Sequence, residues 1–218
     1  MSAATRVLPM FPLGSVLLPG MPLPLRVFEP RYVAMLASVL GEADREFGVV
    51  LIERGWEVGG GDVRFEVGTV ARIASVEISE GLIVLVATGA GRFEVVRWLE
   101  EDPFPRAEVR ELGPLELDAE AVGALGAAEA LVRTTIARAS EFVELPWSAD
   151  VELSTDPAER IWQVAGIAPL GSLDQYALLR SRTAAELLAT LVEETGAAGV
   201  RLSEGWAGDG EDDDDLPL

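Results

Sequence analysis

At Gly113-Pro114 the spacing of apolar residues changes, and that change divides the chain into two kinds of structure. Before it, apolar side chains alternate with polar ones or run in short blocks between glycines and prolines, the signature of strands. After it, Ala, Leu and Glu dominate and apolar residues recur every three or four positions, the signature of helices that pack by one face. The sequence therefore reads as α+β: a β-rich part over residues 1–115, an α-helical part over 116–202, and an acidic tail over 203–218 expected to be disordered.

Within the first part, Arg6 to Met10 and Ser15 to Leu18 are short apolar runs broken by Pro9, Pro12 and Pro19. Proline cannot donate to a ladder, so this spacing predicts edge strands and sharp corners. Glu29-Pro30 opens a helix, because Pro suits the first helical position. Tyr32, Val33, Met35, Leu36, Val39 and Leu40 follow at helical spacing, with Gly41 placed to end it. Phe47 to Ile52 is a continuous apolar run, as in a strand covered on both faces. After the Gly-rich stretch Gly55 to Asp62 come four strand-like runs, Val63 to Ile78, Leu82 to Ala87, Arg92 to Leu99 and Arg106 to Leu112. Strands at this spacing predict a closed or half-closed barrel.

The second part predicts about four helices. Val122, Leu125, Leu131, Val132, Ile136 and Ala139 form one stripe. Asp156-Pro157-Ala158-Glu159 combines a capping carboxylate with a proline at the first helical position, and Gly166 is expected to close that helix. Ser172 is expected to cap Leu173 to Ser181. Thr183-Ala184-Ala185-Glu186 is a second capping box, leading into Leu187, Leu188, Leu191 and Val192 up to Gly196. Short connections favour antiparallel neighbours in a bundle.

Missing residue types narrow the chemistry. The chain has no His and no Cys, and all 17 basic residues are Arg. Without His there is no Ser-His-Asp triad and no imidazole ligand; without Cys there is neither a disulfide nor a thiolate. Without Lys there is no Walker A loop and no Schiff base. Only carboxylate chemistry is left, and no D-T-G-like motif stands out among the 37 acids. The expectation is a non-enzyme with no cofactor and no metal. A net charge of −20 repels phosphate backbones and anionic lipids, so nucleic acid and membranes are poor partners. No apolar run is long enough to span a bilayer and no signal peptide is read, so a cytoplasmic location is expected.

Six strings in the first part occur in a fixed order: Leu8-Pro9-Met10-Phe11-Pro12-Leu13, Leu18-Pro19-Gly20-Met21-Pro22-Leu23-Pro24-Leu25, Phe28-Glu29-Pro30-Arg31-Tyr32, Phe47-Gly48-Val49-Val50, Val67-Gly68-Thr69 and Gly91-Arg92-Phe93. In these the chain resembles the N-terminal substrate-binding domain of Lon proteases, without the ATPase and peptidase parts. Gln175-Tyr176-Ala177-Leu178-Leu179 extends the resemblance into the helical part. The resemblance implies a β-rich subdomain of PUA-like, β-barrel type followed by an α-helical bundle. It also implies a role in holding polypeptides, with unfolded client polypeptides as partners and a protease as the receiver of clients.

The residues expected to touch polypeptide are Phe28, Glu29, Arg31, Tyr32, Trp56, Arg92 and Phe93. Arg31 can pair with a substrate carboxylate, and Trp56 lies beside the Gly-rich stretch, where burial is harder. A structural role is the heavier expectation for most of them: Phe28 and Tyr32 in the core, Glu29 and Arg31 in an internal ion pair, Phe93 packed and Arg92 fixing a loop or the junction of the two parts. Leu145-Pro146-Trp147 belongs to an extended connection between helices that nothing in its chemistry explains. The expected polypeptide site is an apolar groove between the β and helical parts. The alternative function is a small-molecule site in that same cleft, and a carboxylate hydrolase ranks third.

Overall fold

The computed structural model describes residues 5–54, 63–79 and 82–207. The Gly55 to Asp62 stretch with Trp56, and the acidic run from Asp209, lie outside the described residues. Six strands and five helices follow in the order β1 (Thr5–Leu13), β2 (Pro22–Val27), α1 (Pro30–Val39), β3 (Glu46–Arg54), β4 (Val63–Ser79), β5 (Leu82–Trp98), β6 (Arg106–Leu112), α2 (Ala119–Ala139), α3 (Pro157–Ile167), α4 (Ser172–Leu179) and α5 (Ala184–Ala207).

The strands form one sheet in the order β2-β5-β4-β3-β1-β6, and β5 also pairs with β6, so the sheet returns on itself. It is not a clean barrel. Strand β1 is split: Met10 to Leu13 run parallel to β3, while Thr5 to Pro9 run antiparallel to β6. Each half has a ladder on one side, and this tolerates Pro9 and Pro12 in a strand that has neighbours on both flanks. Strand β2 pairs with β5 alone. Its alternate Pro22 and Pro24 have no N–H to give, so they occupy the positions that face the free edge.

Two strand expectations are corrected. Ser15 to Leu18 is not a strand; it links β1 to β2, burying Leu17 and Leu18, and the Thr69 hydroxyl donates to the Leu17 carbonyl at 2.5 Å. Leu82 to Ala87 and Arg92 to Leu99 are halves of one long strand, the first pairing with β2 and the second with β6. Gly89 between them does not make a turn. It allows a close approach: a Cβ there would lie 2.3 Å from the Leu18 carbonyl oxygen.

The interior of the ring is small and full. Phe93 and Met10 are fully buried there with Leu8, Val50, Val70, Ala107 and Val109. Gly68 leaves room for the Phe93 ring, since a Cβ on it would come within 2.5 Å of Phe93 Cζ and 2.4 Å of the Val49 carbonyl. Outside the ring a larger core runs unbroken from strands into helices, joining Phe11, Met35, Phe47 and Leu85 to Leu125, Val132, Ile161 and Leu187.

Helix starts follow the capping residues. The Asp118 carboxylate accepts from the Ala121 N–H at 2.8 Å, and the Asp156 carboxylate accepts from the Ala158 N–H at 3.1 Å. At α5, Thr183 Oγ1 accepts from the Glu186 N–H, while the Glu186 carboxylate reaches one residue further back, to the Arg182 N–H. Three helix boundaries differ from expectation. Gly171, not Ser172, is the N-cap of α4; the Ser172 hydroxyl instead donates to the Gly14 carbonyl at 3.0 Å. Gly166 and Gly196 stop neither α3 nor α5, because a glycine ends a helix only where the backbone turns left-handed and neither does so. Helix α5 continues to Ala207, through the first residues of the segment expected to be tail.

Candidate polypeptide-binding surface

Phe28 sits between the end of β2 and the start of α1, and its side chain is 65% exposed. Beside it a groove of about 90 Å³ is lined by Phe11, Leu13 and Leu25, with Arg26 and Glu29 as its polar members. The expectation that Phe28 packs in the core is corrected: the chain turns at Val27, which takes the buried position, and Phe28 is left outside.

Neighbouring Tyr32 is buried and stacks on Phe11 with ring centroids 4.0 Å apart. Glu29 accepts from Arg31 Nε at 3.1 Å, and a second Arg31 nitrogen donates to Glu101 at 3.0 Å. The Arg31 guanidinium also lies 4.6 Å from the centre of the Tyr32 ring. These contacts fix the start of α1 and occupy the charge expected to meet a substrate carboxylate.

Sequence reasoning missed Ile78, which is 74% exposed. The register explains its importance. Val27 of β2 lies opposite Ile83 of β5, and Ile83 lies opposite Ile78 of β4. Residues directly opposite share a face, so the three lie in one row that runs from buried Val27 through half-buried Ile83 to exposed Ile78. Alternation in Val63 to Ile78 marked the strand, but it could not show that the side chain at its end stays exposed.

Arg92 and Phe93 play other parts. Phe93 is fully buried in the ring and offers nothing to a ligand. Arg92 is 6% exposed and donates to the carbonyls of Leu179 and Ser181, both at 2.7 Å, and to Gly113 at 3.4 Å. Its guanidinium lies 4.9 Å from the centre of a Trp162 ring. Burial lowers its basicity from the ordinary arginine value. The expected groove between the parts is therefore closed at this point, because Arg92 of β5 is clasped by the end of α4.

The second concavity, about 450 Å³, lies within the helical part. Leu145, Pro146 and Trp147 of the α2–α3 connection form one wall, the end of α3 a second, and Ala198 and Arg201 of α5 a third. The connection is held by charge. Arg133 donates to the Ala149 and Val151 carbonyls. Glu129 in turn accepts from Nε of both Arg133 and Arg160 at 2.8 Å. The Arg160 hydrogen bonds, more than the opposing effect of burial, hold the Glu129 carboxyl below its ordinary range, with Arg133 adding to them.

The structure is thus a β ring clasped to a set of helices, with Phe28 and Ile78 exposed on the sheet part. Residues 7–195 match the ATP-dependent protease La (LON) substrate-binding domain, and the chain belongs to that family. It is 37% identical to Lon protease 2 of Myxococcus xanthus over 108 residues, which is 48% of this chain and 13% of that protein. It is 31% identical to Lon protease 2 of Herpetosiphon aurantiacus over 141 residues, 61% of this chain and 17% of that one. The chain thus spans under a fifth of the length of these curated relatives. The crystal structure of a Lon N-terminal domain protein from Xanthomonas campestris superposes with a TM-score of 0.60 at 27% identity, covering 86% of this chain and 98% of that one. The N-terminal domain of a Mycobacterium avium complex Lon protease shares the fold at 19% identity, with a TM-score of 0.64 over 88% of this chain and 98% of that one. The similarity is to the substrate-binding domain and not to ATPase or peptidase parts.

Proposed function

We propose that this chain is a non-catalytic polypeptide-binding module that holds unfolded segments at the sheet tip, as a holdase or as an adaptor passing clients to a protease. The observation that carries the reading is Phe28, a large aromatic 65% exposed beside an apolar groove and next to the Val27–Ile83–Ile78 row. An exposed aromatic in a patch with few charges supplies contact area at low entropic cost, and such residues carry most of the energy of an interface. Membership of a substrate-binding family supports the same reading. Free backbone pairing is not the means, because Pro22 and Pro24 blunt the β2 edge. Side chains therefore bind, and sequence preference for apolar clients follows.

Fluorescence anisotropy with a reduced, alkylated polypeptide that cannot fold tests this. Phe28→Ser together with Ile78→Ser is expected to weaken binding about tenfold or more. Unchanged affinity in a variant that melts like the parent removes the sheet tip as the site.

A further inference from the structure

The cavity among the helices has a composition that the sheet tip lacks. Its walls are apolar at Leu145, Trp147, Ile167 and Leu170, and Arg201 is the one charged side chain among the described residues that line it. In a chain carrying net charge −20, a cation facing an apolar hollow stands apart from the rest of the surface. Distant acids are screened within about 8 Å at physiological salt, so the near charge governs what enters.

Arg201 has donors to spare. Its one ion pair among the described residues is with Asp174 at 3.9 Å, which is longer than a hydrogen bond, and its side chain is 61% exposed. A guanidinium offers five N–H donors in a fork that matches a carboxylate. Gln175 adds an amide that both donates and accepts. The opposite wall is the end of α3, where the Gly166 and Ile167 carbonyls, among the last of the helix, have no intrahelical N–H to meet, while the Ala168 carbonyl accepts from the Leu170 N–H at 2.8 Å. A ligand fitting all three carries a carboxylate for Arg201, an amide N–H for those carbonyls and an apolar group for the hollow. The volume is at the small end of ligand pockets, enough for one residue and its neighbouring amide.

We propose that this cavity binds the C-terminal residue of a polypeptide ending in an apolar side chain, the carboxylate seated on Arg201. The proposal builds on the polypeptide-binding reading but places a second, sequence-selective contact away from the sheet tip. It also explains the Leu145-Pro146-Trp147 connection, which becomes the wall that Arg133 and Glu129 hold in place.

The test is isothermal titration of the full chain with a short Gly/Ser peptide ending in leucine, as the free acid and as the C-terminal amide. The free acid is expected to bind about tenfold tighter, the worth of one charge-assisted hydrogen bond. Arg201→Met, which keeps an apolar stem, is expected to abolish that difference while leaving amide binding unchanged. Equal binding of acid and amide, or no binding of either at millimolar concentration, overturns the proposal. So does 4-phenylbutyrate binding as tightly as the peptide acid, which makes the cavity a site for small organic acids. If the unfolded polypeptide still binds in a Phe28-dependent way while the peptide acid does not, the cavity assignment fails and the sheet-tip function stands. The reverse result leaves the cavity and removes the tip.

Discussion

The β ring and the helical part bury apolar surface in different ways. In the ring, Phe93 is sealed by two glycines, Gly48 and Gly68, whose missing side chains are what admit its ring. In the helical part an arginine–glutamate staple ties α2 to α3, and a cavity of about 450 Å³ stays open between the α2–α3 connection, the end of α3 and α5. The contrast teaches that the ring serves as a frame; under the functions proposed above, recognition falls to what the frame displays at its edge and to what the helices leave unfilled.

The largest effect should come from breaking the frame. Phe93→Ala removes a fully buried ring from a closed interior, and a loss of about 3–5 kcal/mol is expected in urea unfolding. Gly68→Ala attacks the same point by overpacking, with a loss of about 1–3 kcal/mol. If Phe93→Ala costs under about 1 kcal/mol, the ring is not the rigid half and the comparison falls.

Next in size is the clasp between the halves. Arg92→Met takes away the donor shared by the Leu179 and Ser181 carbonyls and leaves both acceptors buried. A loss of about 3 kcal/mol is expected. Near-ultraviolet and far-ultraviolet circular dichroism should still report one shared transition if the continuous core alone couples the halves. Two separated transitions in this variant would show that Arg92 is the coupling element.

The helical staple is a smaller effect with a pH signature. Glu129 has a folded-state pKa below its ordinary value, so its stabilisation is complete above the ordinary carboxylate range and disappears as pH falls through the lowered value. Glu129→Gln is expected to cost about 1–2 kcal/mol at neutral pH, and the gap from the parent should close in acid. A gap that stays constant with pH would assign the loss to packing instead of charge.

How much of this was legible in the sequence depends on what each residue answers to. The switch at Gly113-Pro114, the Asp156 helix start and the family strings rest on local chemistry, and local chemistry is written in order along the chain. Gly89 reads as a break because glycine marks turns, whereas here it answers to Leu18, far earlier in the chain. Gly166 likewise answers to Met21, whose side chain occupies the space a Cβ would need. The site suffered most. Among Phe28, Glu29, Arg31, Tyr32, Arg92 and Phe93, aromatic and charged types look alike as candidates, and only burial separates displayed Phe28 from sealed Phe93. Ile78 was invisible because its exposure depends on where a ladder outruns its covering layer.

The smallest expected change in stability belongs to the residue with the largest expected change in binding. Phe28→Ser removes a side chain that is two-thirds in water, so unfolding should shift by no more than about 0.5 kcal/mol. Ile78→Ser should behave the same way, being more exposed still. Set beside Phe93→Ala, these variants separate frame from display within one residue class: the same phenyl ring costs several kcal/mol inside and almost nothing outside. A large loss of stability in Phe28→Ser would mean that the ring helps hold α1 against the sheet. The exposed surface would then belong to the frame, and the sheet tip would lose its claim as the place where a client is held.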